Sequence, residues 1–302
     1  MNSYEMSTVI KKFEHYFDGV APFDLGRVMV AVPTIRHRAE MTINRLNCFP
    51  NRFIFIEQSE LELYKPEIDG GWTPVIRTAF NLNETRNQIL QQFRDSKFEF
   101  LLMPDDEIRY RKVFVQNDTF QSVEVNELEE PFKLELARME RDNIDVLTIP
   151  SSQYLTARVT DTVIFDKPAI DYSFILLTKR AIVSNNYWYT TASCTCEDLI
   201  MAKLLLADPT LKCRLSVLLR RDAQLNNKGT NTYGDKSILV SWMDRTIDLL
   251  GQLSARGFTP ELMDKLWSPE HRPIKHYPLN YKRHKMYFQE KQEISKWKRF
   301  LM

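Results

Sequence analysis

The sequence predicts an α/β fold built on an open, mostly parallel β-sheet flanked by helices. Short apolar runs bounded by glycine, proline or polar residues recur along its first half, and such runs are typical of strands buried on both faces. Segments with helical apolar spacing lie between these runs, and this alternation indicates a parallel sheet. Because ligands bind such sheets beyond the carboxyl ends of the strands, we expect a nucleotide site there.

The first third of the chain gives the clearest pattern. Strands are predicted over residues 27–33, 52–56, 73–77 and 98–103, and helices over 3–18, part of 34–45, and 84–93. Asn83 is the expected N-cap of the helix at 84–93, since its side chain can accept a hydrogen bond from a backbone N–H.

Beyond residue 107 the pattern is less regular. Strands are predicted over residues 145–149, 171–177 and 214–219, and helices over 131–141, 197–207, 241–256 and 260–267. Pro131 is placed at the first helical position, which tolerates proline. We therefore expect a main α/β domain over residues 1–240 and a C-terminal helical and basic extension over residues 241–302.

Composition excludes several classes of protein. A net charge of +1 and 43% hydrophobic residues are ordinary for a globular chain. With only 4 cysteines, reduced thiols in a cytoplasmic protein are expected. No apolar run approaches the roughly 20 residues that a membrane helix needs, so no membrane association is expected.

The C-terminal segment is basic and aromatic within this nearly neutral chain. Cations bind phosphates and aromatic faces stack on bases, so the segment favours a nucleic-acid partner. The alternative is a helix packed on the body with a solvated cationic face. The residues concerned are Arg272, Lys275, Tyr277, Tyr281, Lys282, Arg283, Lys285, Tyr287, Phe288, Lys291, Lys296, Trp297, Lys298, Arg299 and Phe300.

Three consecutive carboxylates, Asp105, Asp106 and Glu107, follow the apolar run at 98–103. Carboxylate oxygens at the end of a buried strand suit Mg²⁺ or Mn²⁺, which are hard cations. A metal there would bridge diphosphate oxygens and neutralise charge on a leaving group. The alternative is a solvated acidic turn.

A second acidic pair, Glu197 and Asp198, opens the helix predicted over 197–207. Asp198 is the first choice, and Glu197 the second, for a general base that takes a proton from an acceptor hydroxyl. The alternative is that both carboxylates only stabilise the helix N-terminus.

Two further segments could hold a nucleotide. Arg86, in the sequence Thr-Arg-Asn, could bind a phosphate through charge-assisted hydrogen bonds, or it could be an exposed helix arginine. Pro33, Thr34 and Arg36 follow the first strand, where a base and ribose would lie. Glycine-rich dinucleotide and Walker A motifs are absent from the sequence.

Together these features resemble the GT-A class of nucleotide-sugar glycosyltransferases over residues 25–235. The resemblance rests on the first strand with Pro33 and Thr34, the second strand with Glu57, the Arg86 helix, the strand leading into the acidic run, and the later acidic pair. It implies a GT-A-like open sheet, a UDP-sugar donor and Mn²⁺ or Mg²⁺. Asp105 or Glu107 would contact the metal, with Asp105 also near the donor, and Asp198 would be the base. This chain has Asp-Asp-Glu where Asp-x-Asp is commoner.

The size, residues 83–87 and the basic segment also resemble the phage-type DNA glycosyltransferases. That implies transfer of a hexosyl or pentosyl group to a 5-hydroxymethylpyrimidine in double-stranded DNA. Three alternatives stay open: a saccharide or protein acceptor, a metal-dependent nuclease or nucleotidyltransferase, and a non-enzymatic DNA-binding protein.

Overall fold

A computed structural model gives the fold of the central part of the chain. It describes residues 13–34, 45–78, 82–104, 108–116, 119–124, 127–150, 165–166, 168, 170, 174–183, 187–189, 201–202, 204–206 and 208–223. The extension predicted over 241–302 lies outside these residues. In the segment predicted as a helix over 197–207, residues 201–202 and 204–206 are helical.

The main sheet has seven strands in the order β3-β2-β1-β4-β8-β7-β9. Its strands are parallel except for β8, which runs antiparallel to both β4 and β7. This is the open, mostly parallel α/β sheet that the sequence predicts. The strands are β1 Val28–Pro33, β2 Arg52–Ile56, β3 Thr73–Ile76, β4 Phe100–Pro104, β7 Val146–Thr148, β8 Phe174–Thr178 and β9 Cys213–Leu215.

Helices cover both faces of this sheet. They are α1 Lys65–Asp69, α2 Leu82–Asp95, α3 Glu129–Arg141 and α4 Lys179–Val183, with 3₁₀ turns at Glu14–Tyr16, Leu25–Arg27 and Gln58–Glu60. Met29 and Ala31 of β1 pack in one core cluster with residues of α2 and α4. Val28, Val30 and Val32 face the opposite cluster, which includes residues of α3. Burial on both faces explains the unbroken apolar run of β1.

A second sheet has three antiparallel strands in the order β10-β5-β6. Its strands are β5 Ile108–Gln116, β6 Thr119–Glu124 and β10 Leu219–Ala223. The sequence pattern did not predict this sheet. Instead it predicted one strand over 214–219, which is wrong: β9 ends at Leu215 and β10 begins at Leu219.

Two capping predictions are also wrong. Helix α2 begins at Leu82, so Asn83 is its second residue and is buried, and it is not the N-cap. Helix α3 begins at Glu129, so Pro131 is its third residue. In both cases the helix extends beyond its apolar stripe, and the stripe alone does not mark where it begins.

In the described part of the chain, no helix is long and apolar enough to cross a membrane.

Candidate functional site

The strand order places a topological switch point between β1 and β4. From β1 the chain proceeds outward to β2 and β3, and then returns to the other side of β1 as β4. Pro33 is paired with Phe55, and Ile56 with Ile76, so the first three strands end close to one level. Crevices that bind nucleotides form at such an edge, beyond the carboxyl ends of the strands.

The acidic run begins at this edge. Strand β4 is buried along its whole length and ends at Pro104, the residue to which Asp105 is bonded. The next described residue, Ile108, begins β5 of the second sheet. Asp105, Asp106 and Glu107 themselves lie outside the described residues. Elsewhere, within the described ranges, no three His, Cys, Asp or Glu side chains gather as metal ligands.

Thr34 follows β1 and is held inward. Its backbone N–H donates to Phe55 O at 3.3 Å, and its Oγ1 lies 2.9 Å from the hydroxyl oxygen of Tyr64. Both side chains are buried. Because the Thr34 hydroxyl is engaged with Tyr64, the pair fixes the backbone that leaves β1 at the switch point. Pro33 is the last residue of β1, and Arg36 lies outside the described residues.

Glu57 and Arg77 are the residues that follow β2 and β3, and they form an ion pair through Glu57 Oε1 and Arg77 Nη2. The Arg77 side chain is only 6% exposed, whereas that of Glu57 is 45% exposed. The Arg77 backbone N–H donates to Ile56 O at 2.9 Å. The sequence pattern indicated Glu57 and missed Arg77, although an arginine at the end of a predicted strand was a usable signal.

Helix α2 presents buried polar residues at its N-terminal end. Asn83, Thr85 and Arg86 are all at most 5% exposed. The Arg86 guanidinium carbon lies 5.3 Å from the centroid of the Tyr189 ring. The alternative that Arg86 is an exposed helix arginine is therefore wrong. Its charge lies inside the protein, near the end of α2 where the backbone N–H groups are also directed.

The same helix holds the segment 187–189. The Asn87 side chain donates to Tyr189 O at 2.9 Å and accepts from Tyr189 N at 2.7 Å, so the amide pairs with the backbone in both directions. About two helical turns further along α2, Arg94 Nη2 donates to Tyr187 O at 2.5 Å, and its guanidinium carbon lies 3.5 Å from the Trp188 ring centroid. The predicted base candidates Glu197 and Asp198 follow this segment in the chain and lie outside the described residues.

A buried charged network joins α3 to the turn between β9 and β10. Glu135 Oε1 accepts from Ser216 Oγ at 2.7 Å, Val217 N at 2.5 Å and Leu218 N at 2.7 Å. Its other oxygen accepts from Arg138, which in turn donates to Leu215 O at 2.9 Å. This network fixes where β10 begins. Because Ala223 of β10 pairs with Ile108 of β5, it also supports the strand that follows the acidic run.

Comparisons with known proteins give only similarities of fold. S. aureus TarS 1-349 is 14% identical, with a TM-score of 0.44 over 64% of this chain and 59% of that chain. The complex of TarS 1-349 with UDP-GlcNAc gives a TM-score of 0.45 over 64% of this chain and 57% of that chain. The 4-diphosphocytidyl-2C-methyl-D-erythritolsynthase from Anaerococcus prevotii is 12% identical, with a TM-score of 0.37 over 67% and 89%. This chain thus spans less than two thirds of TarS 1-349. No family model and no curated protein matches it.

Proposed function

We propose that this protein is a metal-dependent glycosyltransferase that moves a sugar from a nucleotide-sugar to a hydroxyl acceptor. One observation carries the proposal: the acidic run at 105–107 begins where β4 ends, beside β1, at the switch point of the sheet. A nucleotide bound in the crevice of an open α/β sheet has its phosphates at this point. Carboxylates there can reach a phosphate only through a cation, because they would otherwise repel it.

The residues at this position fit a hard divalent cation. Asp105, Asp106 and Glu107 offer only carboxylate oxygens, the ligands that Mg²⁺ and Mn²⁺ prefer. When bound, such a cation would neutralise the negative charge on the nucleoside diphosphate leaving group. In the chain this run joins the buried end of β4, Pro104, directly to the first residue of β5, Ile108.

The donor-binding role falls to residues at the same edge. We assign the nucleoside to the ends of β1 and β2, with Pro33, Thr34, Arg36 and Glu57. Arg86 supplies a cation beside the N-terminus of α2, which is favourable for phosphate oxygens because both present positive charge. The expected donor is a UDP-sugar carrying a hexosyl or pentosyl group.

The transfer itself needs a base for the acceptor. Asp198, or Glu197 in its place, would take the proton from the acceptor hydroxyl, and the oxygen would then bond to the anomeric carbon. The bond between that carbon and the diphosphate breaks, and the electron pair leaves with the nucleoside diphosphate. The acceptor we propose is a 5-hydroxymethylpyrimidine in double-stranded DNA, supported by the basic aromatic residues that follow position 271.

The test uses the full chain. Thermal shift would be measured against a panel of nucleotide-sugars with and without Mn²⁺, since a ligand of the folded state raises the melting temperature. Transfer would then be followed to duplex DNA containing 5-hydroxymethylcytosine, with unmodified DNA and an oligosaccharide as alternative acceptors. We expect a Mn²⁺-dependent shift with at least one sugar donor, and label on the modified DNA.

Matched variants locate the metal site. Asp105→Asn and Glu107→Gln should each lower transfer at least about hundredfold, because each removes a charge that a metal requires. Glu130→Gln, an exposed residue of α3, is the control and should keep full activity. Full activity and metal binding in both site variants would show that the metal assignment is wrong. Plasmid nicking in Mg²⁺ without any sugar donor would instead support the nuclease alternative.

A further inference from the structure

We propose that Arg77 positions Glu57 to accept a hydrogen bond from a ribose hydroxyl of the bound nucleotide, and that this pair makes the site selective for ribonucleotides. The inference rests on the proposed function only in that a nucleotide binds at this edge of the sheet. The sequence pattern did not assign a role to Arg77. The role follows from the contact between the ends of two neighbouring strands.

The pair is built into the edge of the sheet. Strands β2 and β3 are parallel, with Ile56 paired with Ile76, so Glu57 and Arg77 are the next residues on each strand. The Arg77 backbone N–H continues the ladder by donating to Ile56 O at 2.9 Å. The Arg77 side chain lies toward β2, and its Nη2 donates to Glu57 Oε1. Both backbones are therefore fixed at the point where the side chains meet.

The Glu57 carboxylate is restrained and still accessible. The backbone N–H of Glu57 donates to Glu60 Oε2 at 3.2 Å, and this bond holds the turn that begins at Gln58. One carboxylate oxygen is bound by Arg77, while 45% of the side chain remains exposed. A glutamate would otherwise sample several rotamers. Arg77 fixes one oxygen, and the capping box with Glu60 also restrains the side chain, so the exposed part of the carboxylate is presented in a single direction at the sheet edge.

Burying the Arg77 side chain is energetically unfavourable, and packing alone does not explain why an arginine occupies this position. Its side chain is 6% exposed, and its Nε is buried without a hydrogen-bond partner. A buried, incompletely paired guanidinium is unfavourable, and an apolar side chain there would fill the space without that penalty. Its presence is explained if its charge is needed. Beside the diphosphate, an unpaired Glu57 would repel the ligand, whereas the Glu57–Arg77 pair is neutral.

The chemistry of the carboxylate then selects the ligand group. An ionised carboxylate is an acceptor only, so its partner must be a donor. In doubly wound sheets, an acidic residue after the second strand lies beside the ribose of a nucleotide bound at the switch point. A ribose presents two O–H donors, and its 2′-deoxy counterpart lacks one of them. We therefore expect Glu57 to discriminate between the two sugars.

The test measures binding without requiring sugar transfer. UDP, CDP, ADP and GDP, and the 2′-deoxy form of each, would be titrated into the full chain by calorimetry in Mn²⁺. For any base that binds, we expect the ribonucleotide to bind about tenfold to hundredfold more tightly, the range for a hydrogen bond to a charged group. Equal affinities for the two sugars would overturn the proposal, as would absence of binding by all eight nucleotides.

Three variants test the role of Arg77. Glu57→Gln and Arg77→Met should each reduce the ribonucleotide preference toward unity, and Arg77→Lys should retain part of it. Glu62→Gln, an exposed residue of the same turn, is the matched control. If Arg77→Met keeps the full preference, Arg77 does not position Glu57. If the variants change selectivity among bases and leave the sugar preference unchanged, Glu57 contacts the base and the ribose assignment is wrong.

The two proposals fail separately. A clear ribonucleotide preference without any sugar transfer would reject the glycosyltransferase function and leave the role of Arg77 standing. Transfer from a sugar donor, combined with equal affinities for ribonucleotides and deoxyribonucleotides, would support the glycosyltransferase function and reject the role of Arg77. Circular dichroism and melting temperature of each variant, compared with Glu62→Gln, separate loss of selectivity from loss of folding. The comparison of ribose with deoxyribose in the unmodified chain needs no variant.

Discussion

Replacing Glu135 with alanine should destabilise the protein severely. The Glu135 carboxylate is fully buried, and each of its oxygens faces only donors. One oxygen accepts from Ser216 and from the backbone N–H groups of Val217 and Leu218. The other pairs with Arg138, whose side chain is 2% exposed. The substitution leaves these donors, including a full positive charge, without their acceptor.

The magnitude follows from these contacts. Breaking a buried ion pair by removing one partner costs about 3–5 kcal/mol. Each buried N–H that loses its acceptor adds about 1–3 kcal/mol where water cannot reach it. Because such terms are not additive, we expect a loss of at least about 4 kcal/mol, a large fraction of the roughly 5–15 kcal/mol by which proteins are folded.

Glutamine should not rescue the site. The amide of Glu135→Gln would direct its NH₂ either at Arg138 or at the N–H groups of residues 217 and 218, so either orientation places donor against donor. Combining Glu135→Leu with Arg138→Met should be less destabilising than Glu135→Leu alone, since it removes the unpaired charge. The expected coupling is about 1–3 kcal/mol.

The assay is urea unfolding of the full chain, followed by tryptophan fluorescence and far-ultraviolet circular dichroism. The midpoint and slope give the free energy of unfolding. Glu130→Gln on the exposed face of the same helix is the control. A loss below about 1 kcal/mol for Glu135→Ala, or a double variant no more stable than Glu135→Leu, would refute the reasoning, because a buried charge without its partner must cost more than that.

Three further predictions concern other described residues. Asn87→Leu should lower the free energy of unfolding by about 2–4 kcal/mol, because both backbone groups of Tyr189 lose a partner; urea unfolding measures this. The hydrogen bond from Arg27 holds the pKa of Glu99 below its usual 4.5, so the ionised form stabilises the fold above that pH and this contribution is lost on acidification. Stability measured from pH 6 to 3 should therefore fall less in Glu99→Gln than in the unmodified chain. Burial raises the pKa of the Cys213 thiol, so it should resist alkylation until unfolding, as mass spectrometry of labelled peptides would show.

The central strands could be predicted from the sequence because their environment is simple. Strands β1 and β2 are apolar runs bounded by glycine, proline or asparagine, and their observed limits are Val28–Pro33 and Arg52–Ile56. A strand buried on both faces need not alternate apolar and polar residues, so a continuous apolar run is enough to predict it. The position of Thr34 and Glu57 at the edge of the sheet follows directly from where these strands end.

The second sheet could not be inferred in the same way. Strand β5 contains several charged residues, and its partner β10 is more than a hundred residues away in the chain, with Leu219 opposite Lys112. Pairing over such a distance leaves little trace in a local pattern. A weaker signal was present: Ile108 and Tyr110 alternate with arginines, and Asn117 and Asp118 are residue types common in tight turns.

The polar contacts of the site were the hardest to foresee. Arg77 acquires its role only from the register between β2 and β3, which places its guanidinium beside Glu57. Arg86 and Asn87 meet Tyr189, which lies on a segment that no apolar spacing links to α2. Burial of such groups depends on which distant elements pack together, so periodicity identifies the helix but not the partners of its polar residues.

The reversed strand β8 has a consequence for how this fold can vary. Its first residue, Phe174, pairs with the last residue of β4, Pro104, so this strand enters the sheet at the edge that the parallel strands leave. Strand β7 ends at Thr148 at that same edge, since it runs antiparallel to β8 with Thr148 opposite Ile175. The connection 149–173 therefore starts and finishes beside the candidate site. Its sequence and length can change what surrounds that site while every strand of the sheet keeps its place.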